Sequence, residues 1–392
     1  MLRSLDSGVS GLQAQQTMLD VVGNNIANVN TTGYKSSSVE FEDTLSQMIG
    51  TASAPQGNQG GQSPAQVGLG VRVAATATNF TEGAAQTTGV GTNLMINGDG
   101  FFIVNNGGQT QYTRSGAFTT DAAGNLVSPD GAIVQGWNAT NGVVNSSAPV
   151  SNITLSTTGL SAARATSKAA MTGNLADDAA VGATVNSQVT VYDANGAQSN
   201  LTMAFTRNGT GGWDVTGTDA AGNTASGLMT FASGVNTGAQ TLTVGAVTVD
   251  LSKITGFAGS GGVNFASQNG TAAGSLQSFS IEGDGTIMGA FSNGEKQAVG
   301  RVALANFTNP GGLQKAGNSN FIATPNSGLA QVGQAGSGSL GTMTSGAIEG
   351  SNVDLAREFT NLIVAQRAFQ ASARVITTSD DVLQELLQLK TQ

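Results

Sequence analysis

Apolar residues follow two different rhythms along this chain. Near the start they fall at Leu5, Val9 and Leu12, skip to a polar Gln16, and continue at Leu19, Val22 and Ile26, close to the alternating four-and-three spacing of a heptad seam. At the other end Leu355, Phe359, Leu362, Gln366, Phe369, Ala373, Ile376, Asp380, Leu383 and Leu387 keep that spacing through about five heptads. No Gly or Pro interrupts the chain after Val353, Ser351-Asn352 supplies an N-cap, and Asp354 favours the helix dipole. Each pattern predicts an amphipathic helix. The C-terminal one would be about 55 Å long, more than a compact domain covers, and a lone helix of that kind is marginal in water. The two helices are therefore expected to pair as a coiled coil.

Between them the period drops to two. "NLMINGDGFFIVNN", "YTRSGAFTTDAAGNLV", "NSQVTVYDANGAQSNLTMAF" and "TLTVGAVTVDLSKI" read as strands separated by Asn-Gly, Asp-Gly and Gly-Asn turns, which are hairpin signals. The expected fold class is mostly β with terminal α-helices in a nested, multi-domain chain. Gly-, Gln- and Ser-rich stretches at 50–68 and 327–346 read as linkers. Residues 146–284 are looser in pattern and richer in Ala, Thr and Gly, as for a domain inserted in another. The predicted units are an inner helical pair (1–30 with 353–392), a linker (31–70 with 340–352), a middle β domain (71–145 with 285–339) and an outer inserted β domain (146–284).

One stretch stops the first helix sharply. "VVGNNIANVNTTGYK" places Asn24, Asn25, Asn28 and Asn30 within seven residues. Asn leaves helical geometry readily and turns or caps the backbone with its side chain, so these four residues form a candidate helix-to-linker stop. A plain helix terminus accounts for the same pattern.

Composition narrows the chemistry. The 392 residues carry a formal net charge of -9, only 10% charged residues, 56 Gly, no Cys and no His. Disulfides, thiolate metal sites, a Cys nucleophile and imidazole catalysis are thereby excluded. Lys and Arg are scattered, which argues against nucleic acid and for a protein partner. Neither a signal-peptide pattern nor a run of about 20 apolar residues is present, so no membrane insertion is expected. The Asp and Gly clusters invite a Ca²⁺ reading, but none has EF-hand spacing and turns require the same residues. A carboxylate hydrolase using Asp99, Asp121, Glu282 or Asp284 is the enzyme alternative, and a secreted β-rich adhesin is the binding alternative. Neither requires two heptad helices at opposite ends of the chain. No enzyme activity, cofactor or metal is expected.

"SGLQAQQTMLDVVGNNIANVNTTGYK" resembles the N-terminal motif of the bacterial flagellar rod and hook axial proteins, and "GAIEGSNVDLAREFTNLIVAQRAFQASARVITTSDDVLQELLQLK" resembles their C-terminal one. "GDGFFIV", "GAIVQGW" and "ALANFTNPGGLQKAGNSNF" are similar to the body of that family. The insertion, and "DGTIMGAFSNGEKQAVGRVALANF", resemble the hook branch more than the distal rod branch, which stays the alternative. The resemblance implies a structural subunit of a hollow, curved helical homopolymer that acts as a universal joint and lets export substrates pass. It implies, besides self-contact, the distal rod protein, hook cap, hook-filament junction protein and flagellar export apparatus as partners. The implied location is extracellular, in the flagellum, reached without a cleavable signal peptide. Leu5, Val9, Leu12, Leu19, Ile26, Leu355, Phe359, Leu362, Phe369, Ile376, Leu383 and Leu387 are the expected subunit-assembly seam.

Overall fold

The computed structural model describes residues 2–55, 57, 60–155 and 160–390. Two helices carry the ends, α1 (Leu2–Ala27) and α2 (Leu355–Lys390), and strands fill the chain between them. The helices run antiparallel: Ser4 Oγ lies 3.3 Å from Ser379 Oγ, a Cβ on Gly8 would sit 3.0 Å from Ile376 Cγ1, and one on Gly11 would sit 3.1 Å from Ser372 Oγ.

These contacts place the intrachain helix contact mostly one residue N-terminal of the heptad positions, with Ile376 common to both. On α1 it runs through Ser4, Gly8 and Gly11 and on α2 through Ser372, Ile376 and Ser379, with Ala14, Val22 and Ala365 buried further along the helices. One residue is roughly 100° of helix rotation, enough to exchange faces. Small residues on α1 let its backbone approach Ile376 and Ser372 closely, and most of the other large apolar residues end beside the contact. Leu5, Leu12, Leu19, Ile26, Leu362, Ile376 and Leu383 are half-buried, whereas Val9 (39%), Leu355 (40%), Phe359 (51%), Phe369 (36%) and Leu387 (66%) stay exposed.

After α1 the chain forms a two-stranded ribbon, Ser37–Asp43 against Val71–Thr78, extended by Ser46–Gly50 against Ala65–Gly68. The segment expected to be a linker at 50–68 is thus paired at its two ends, with one bridge between Ser53 and Gln62. The second expected linker is paired too: Gln331–Gln334 joins Lys296–Asn306, Thr342–Ser345 joins Leu94–Asn97, and Ala347–Glu349 joins Ala85–Thr87. Backbone N–H and C=O groups need partners whatever the side chains, so Gly- and Ser-rich segments pair wherever a strand edge is offered.

The middle β body is a 14-stranded sheet system around Phe101–Asn106, Ile133–Thr140 and Lys296–Asn306. Alternate residues of the first strand feed opposite cores: Phe102 and Val104 join Leu94, Phe118, Ile153 and Leu304, while Phe101 and Ile103 join Tyr112, Trp137, Phe307 and Phe321. Both faces are covered, which explains the unbroken run "FFIV".

The inserted unit is smaller than 146–284. Strands Ser151–Asn152 and Gly274–Ile281 pair inside the large sheet, and a bridge between Arg164 and Thr271 closes the neck. Beyond it, a four-stranded meander from Thr184–Tyr192 to Thr224–Met229 and a second sheet around Val247–Thr255 share one core, with Leu201, Met203, Phe205, Trp213, Val249 and Leu251 buried. Leu201→Ala should therefore cost about 2–5 kcal/mol of that unit's stability. Two-transition thermal unfolding should show the outer transition lowered and the middle one unmoved; a shift of both would mean one cooperative core.

Candidate assembly site at the helix-to-sheet junction

The Asn-rich stop is built from side chain-to-backbone bonds. Asn28 Nδ2 donates to Asn24 O (2.9 Å), tying the turn back to the last helical turn, and Thr31 Oγ1 donates to Asn28 Oδ1 (3.0 Å). Asn25 is buried and pairs with the next strand at both ends of its amide: Nδ2 donates to Ser37 O (2.8 Å) and Oδ1 accepts from Ser37 N (3.0 Å). The Tyr34 hydroxyl reaches Asn24 Oδ1 (2.7 Å) and Asn25 Oδ1 (3.1 Å). Asn30 lies exposed in the turn itself. The amides thus end α1 and hold the first ribbon strand against the end of that helix.

A few residues further on lies an ionic cluster that periodicity did not reveal. Lys35 Nζ and Glu349 Oε1 are 2.5 Å apart, and both side chains are fully buried. Lys35 Nζ also donates to Thr81 O (2.6 Å), and Glu349 Oε1 accepts from Gly83 N (2.9 Å). The second carboxylate oxygen faces Arg114 Nη1 at 3.5 Å, and Arg114 Nη2 donates to Gly98 O (2.8 Å). Burial pulls the Lys35 pKa down, and the Glu349 carboxylate opposes that shift. Beside the cluster Asn352 binds two separate segments: its Oδ1 accepts from Ser36 N (2.8 Å), and its Nδ2 donates to Asn79 O (2.8 Å) and Thr81 O (3.1 Å). The residues leaving α1 and those entering α2 are therefore locked to one another and to the sheet.

Gly33 makes this convergence possible. Its φ is +67° and a Cβ would fall 2.4 Å from Ser115 N, while Gly33 N donates to Glu349 O (2.8 Å). In a chain with only 10% charged residues, the lone Lys after "TGY" and the Glu before "GSN" were the available signals.

Of the four carboxylates considered for catalysis, Asp121 and Asp284 are engaged in turns and an ion pair. Asp121 Oδ1 accepts from Ala123 N (2.9 Å) and Asn125 N (2.7 Å), and Asp219 makes the same bonds to Ala221 (3.0 Å) and Asn223 (2.8 Å), so the repeated "DAAGN" is a repeated turn. Asp284 accepts from Thr286 N (2.9 Å) and pairs with Arg301 Nη2 (3.0 Å). Hydrogen bonds from Thr286 and the Arg301 charge outweigh burial and lower its pKa. At Asp99 and Glu282 it is the backbone that works: Asp99 O accepts from Gly341 N (2.7 Å) and Glu282 N donates to Thr286 O (2.9 Å).

Two substitutions test the junction. Glu349→Gln leaves Lys35 and Arg114 buried without their counter-charge and should cost about 3–5 kcal/mol in urea unfolding of the body and helices. Gly33→Ala should cost about 1–3 kcal/mol in the same measurement, because the backbone of residues 114–115 must move. A cost within the error of wild type for either variant would show that the junction does not couple the helices to the sheet.

Comparisons with known proteins follow the same division of the chain. Residues 5–35 match the family "Flagella basal body rod protein", 95–163 match "Flagellar hook protein FlgE/F/G D1 domain", and 344–389 match "Flagellar basal body rod FlgEFG protein C-terminal". The flagellar hook protein FlgE of Borreliella burgdorferi is 39% identical over 443 aligned residues covering 100% of both chains. That of Treponema pallidum is 37% identical, again over 100% of both. The flagellar basal-body rod protein FlgG of Bacillus subtilis is 32% identical over 100% of both, so the rod reading is not favoured over the hook reading. With full-length identity to hook proteins and matches at both helices and in the middle sheet, this chain belongs to the flagellar hook protein family.

Proposed function

We propose that copies of this chain polymerise through their terminal helices into the hollow, curved hook, which transmits torque from rod to filament and lets export substrates pass. The observation that carries this reading is the apolar face that the α1–α2 pair leaves open. Leu355, Phe359 and Ile363 follow one another at one-turn intervals on α2, all 40% exposed or more, and Val9 and Leu387 extend the exposed set. A face of that kind in water favours burial against another apolar surface, and a contact repeated from copy to copy without closing yields a helical filament. The half-buried Leu362 and Leu383 flank the intrachain contact and would complete the wall of the tube.

Division of labour follows from the two cores. The helices and the junction form the stiff inner layer, while the outer unit, joined at the narrow neck of residues 164 and 271, adjusts to curvature. The Asn stop is the point at which the tube wall hands over to the sheets. In this reading the chain works without catalysis, and its end-on partners are the distal rod protein, hook cap and hook-filament junction protein, with delivery by the flagellar export apparatus.

Phe359→Asp tests the exposed face without disturbing a buried one. Subunit stability should stay within about 0.5 kcal/mol of wild type, as for exposed positions generally, while tubes vanish from electron micrographs. Tubes of normal number and shape would remove this face from the assembly contact. Deleting residues 165–270 should leave tubes that are straight or irregular; unchanged curvature would place the shape-setting contact in another layer.

A further inference from the structure

Among the described residues, one buried carboxylate oxygen on the helices has no hydrogen-bond partner. Glu358, in the first turn of α2, is 8% exposed, and its Oε2 is buried with no hydrogen-bond partner. It takes part in none of the ion pairs among the described residues. The carboxylate lines a cavity of about 170 Å³ between the two helices and the first ribbon strand, together with Arg357, Val22, Ser37, Asn79, Asn352 and Asn361. The adjacent acid, Asp354, is already engaged: its Oδ1 caps α2 by accepting from Ala356 N (3.0 Å) and Arg357 N (3.3 Å). A buried carboxylate oxygen without a donor is unfavourable, and a single carboxylate is a poor site for a divalent cation, which takes several oxygen ligands. Among the described residues no donor reaches that oxygen, and a cationic one would match its charge.

Arg357 lines the same cavity but is the adjacent residue on α2, about 100° round the helix from Glu358, and it makes no ion pair among the described residues; the other unused guanidinium groups lie elsewhere on the helices. Arg3, Arg367 and Arg374 are exposed and enter no ion pair among the described residues. The antiparallel pairing that sets Gly8 against Ile376 puts Arg3 and Arg374 toward the far end of the pair from Glu358, and Arg367 lies more than two turns along α2. Glu358 also sits beside the exposed face formed by Leu355, Phe359 and Ile363. An acidic receptor next to an apolar face, with unpaired guanidinium groups displaced along the same rod, is complementary to a second copy shifted along the axis.

We propose that Glu358 and its cavity form a receptor for an arginine side chain of a second copy of this chain, supplied by Arg3, Arg367 or Arg374 and filled only on polymerisation. This rests on the reading that copies assemble through their helices. A guanidinium suits the receptor because its planar fork bonds a carboxylate bidentately and tolerates burial better than an ammonium. The site would make assembly selective for the correct axial stagger, because any other register buries the carboxylate unpaired.

The test uses the full chain and measures the critical concentration for tube formation. Glu358→Gln removes the charge and keeps the shape; the variant should fold with an unchanged or higher melting temperature, while its critical concentration rises at least tenfold. Added NaCl should raise the wild-type critical concentration more steeply than that of the variant. One of Arg3→Glu, Arg367→Glu or Arg374→Glu should reproduce the defect and be non-additive with Glu358→Gln, which identifies the donor. Glu358→Gln tubes at the wild-type concentration, or additivity with all three arginine changes, would overturn the receptor alone. Wild-type chains that stay monomeric at every concentration would overturn the assembly reading beneath it.

Discussion

Glu349 is the residue through which the two ends of the chain are held on one body. Its carboxylate takes an ammonium from the segment that follows α1, a guanidinium from the middle sheet and a backbone N–H from residue 83, and its own carbonyl accepts from Gly33. All of this lies in a fully buried pocket, where a charge is tolerated only when its partners are in place. Leaving α1 at any other angle, or entering α2 at any other position, would strand at least one of three charges. The cluster therefore acts less as a source of net stability than as a condition on geometry, and the helix pair inherits its direction from it.

That condition explains how a chain so rich in Gly can still carry a rigid rod. Thr, Ser and Asn amides and hydroxyls take over where hydrophobic burial is thin: Asn25 bonds Ser37 at both ends of its amide, and Asn352 bridges residues 36, 79 and 81. Each replaces a short strand pairing with a side chain that only one register satisfies. The β body then supplies a double core, one on each face of Phe101–Asn106, wide enough to resist bending at the junction. The outer unit shares neither core, and its connection to the rest is a neck between residues 164 and 271. The outer unit is thus separated from the helices and the middle sheet by its own core.

Several features were legible from residue order alone because their causes are local. A heptad-like spacing without Gly or Pro makes α2 a helix wherever it packs, Asp-Ala-Ala-Gly-Asn closes the same turn at 121–125 and 219–223, and clustered Asn ends α1. The change of period from helix to strand marked the nested order, and the absence of His and Cys removed most chemistry. The junction was hidden for a physical reason: Lys35 and Glu349 are 314 residues apart, and nothing in the neighbourhood of either shows that it will be buried.

Tertiary structure decided which face of each helix turns inward, and here it overruled size. The large apolar residues define the heptad, yet Gly8 and Gly11 make the contact with Ile376 and Ser372 because close backbone approach needs small side chains, and a rotation of one residue moves Val9, Phe359 and Leu387 outward. It also decided that parts of two Gly- and Ser-rich stretches become strands, since pairing depends on an edge being offered by distant residues, and it drew the neck of the inserted unit where strands cross between sheets. Residue order by itself determined the elements, their ends and the fact that an apolar stripe exists; the fold determined what that stripe is left facing, because facing is a relation between segments that only three-dimensional packing brings together.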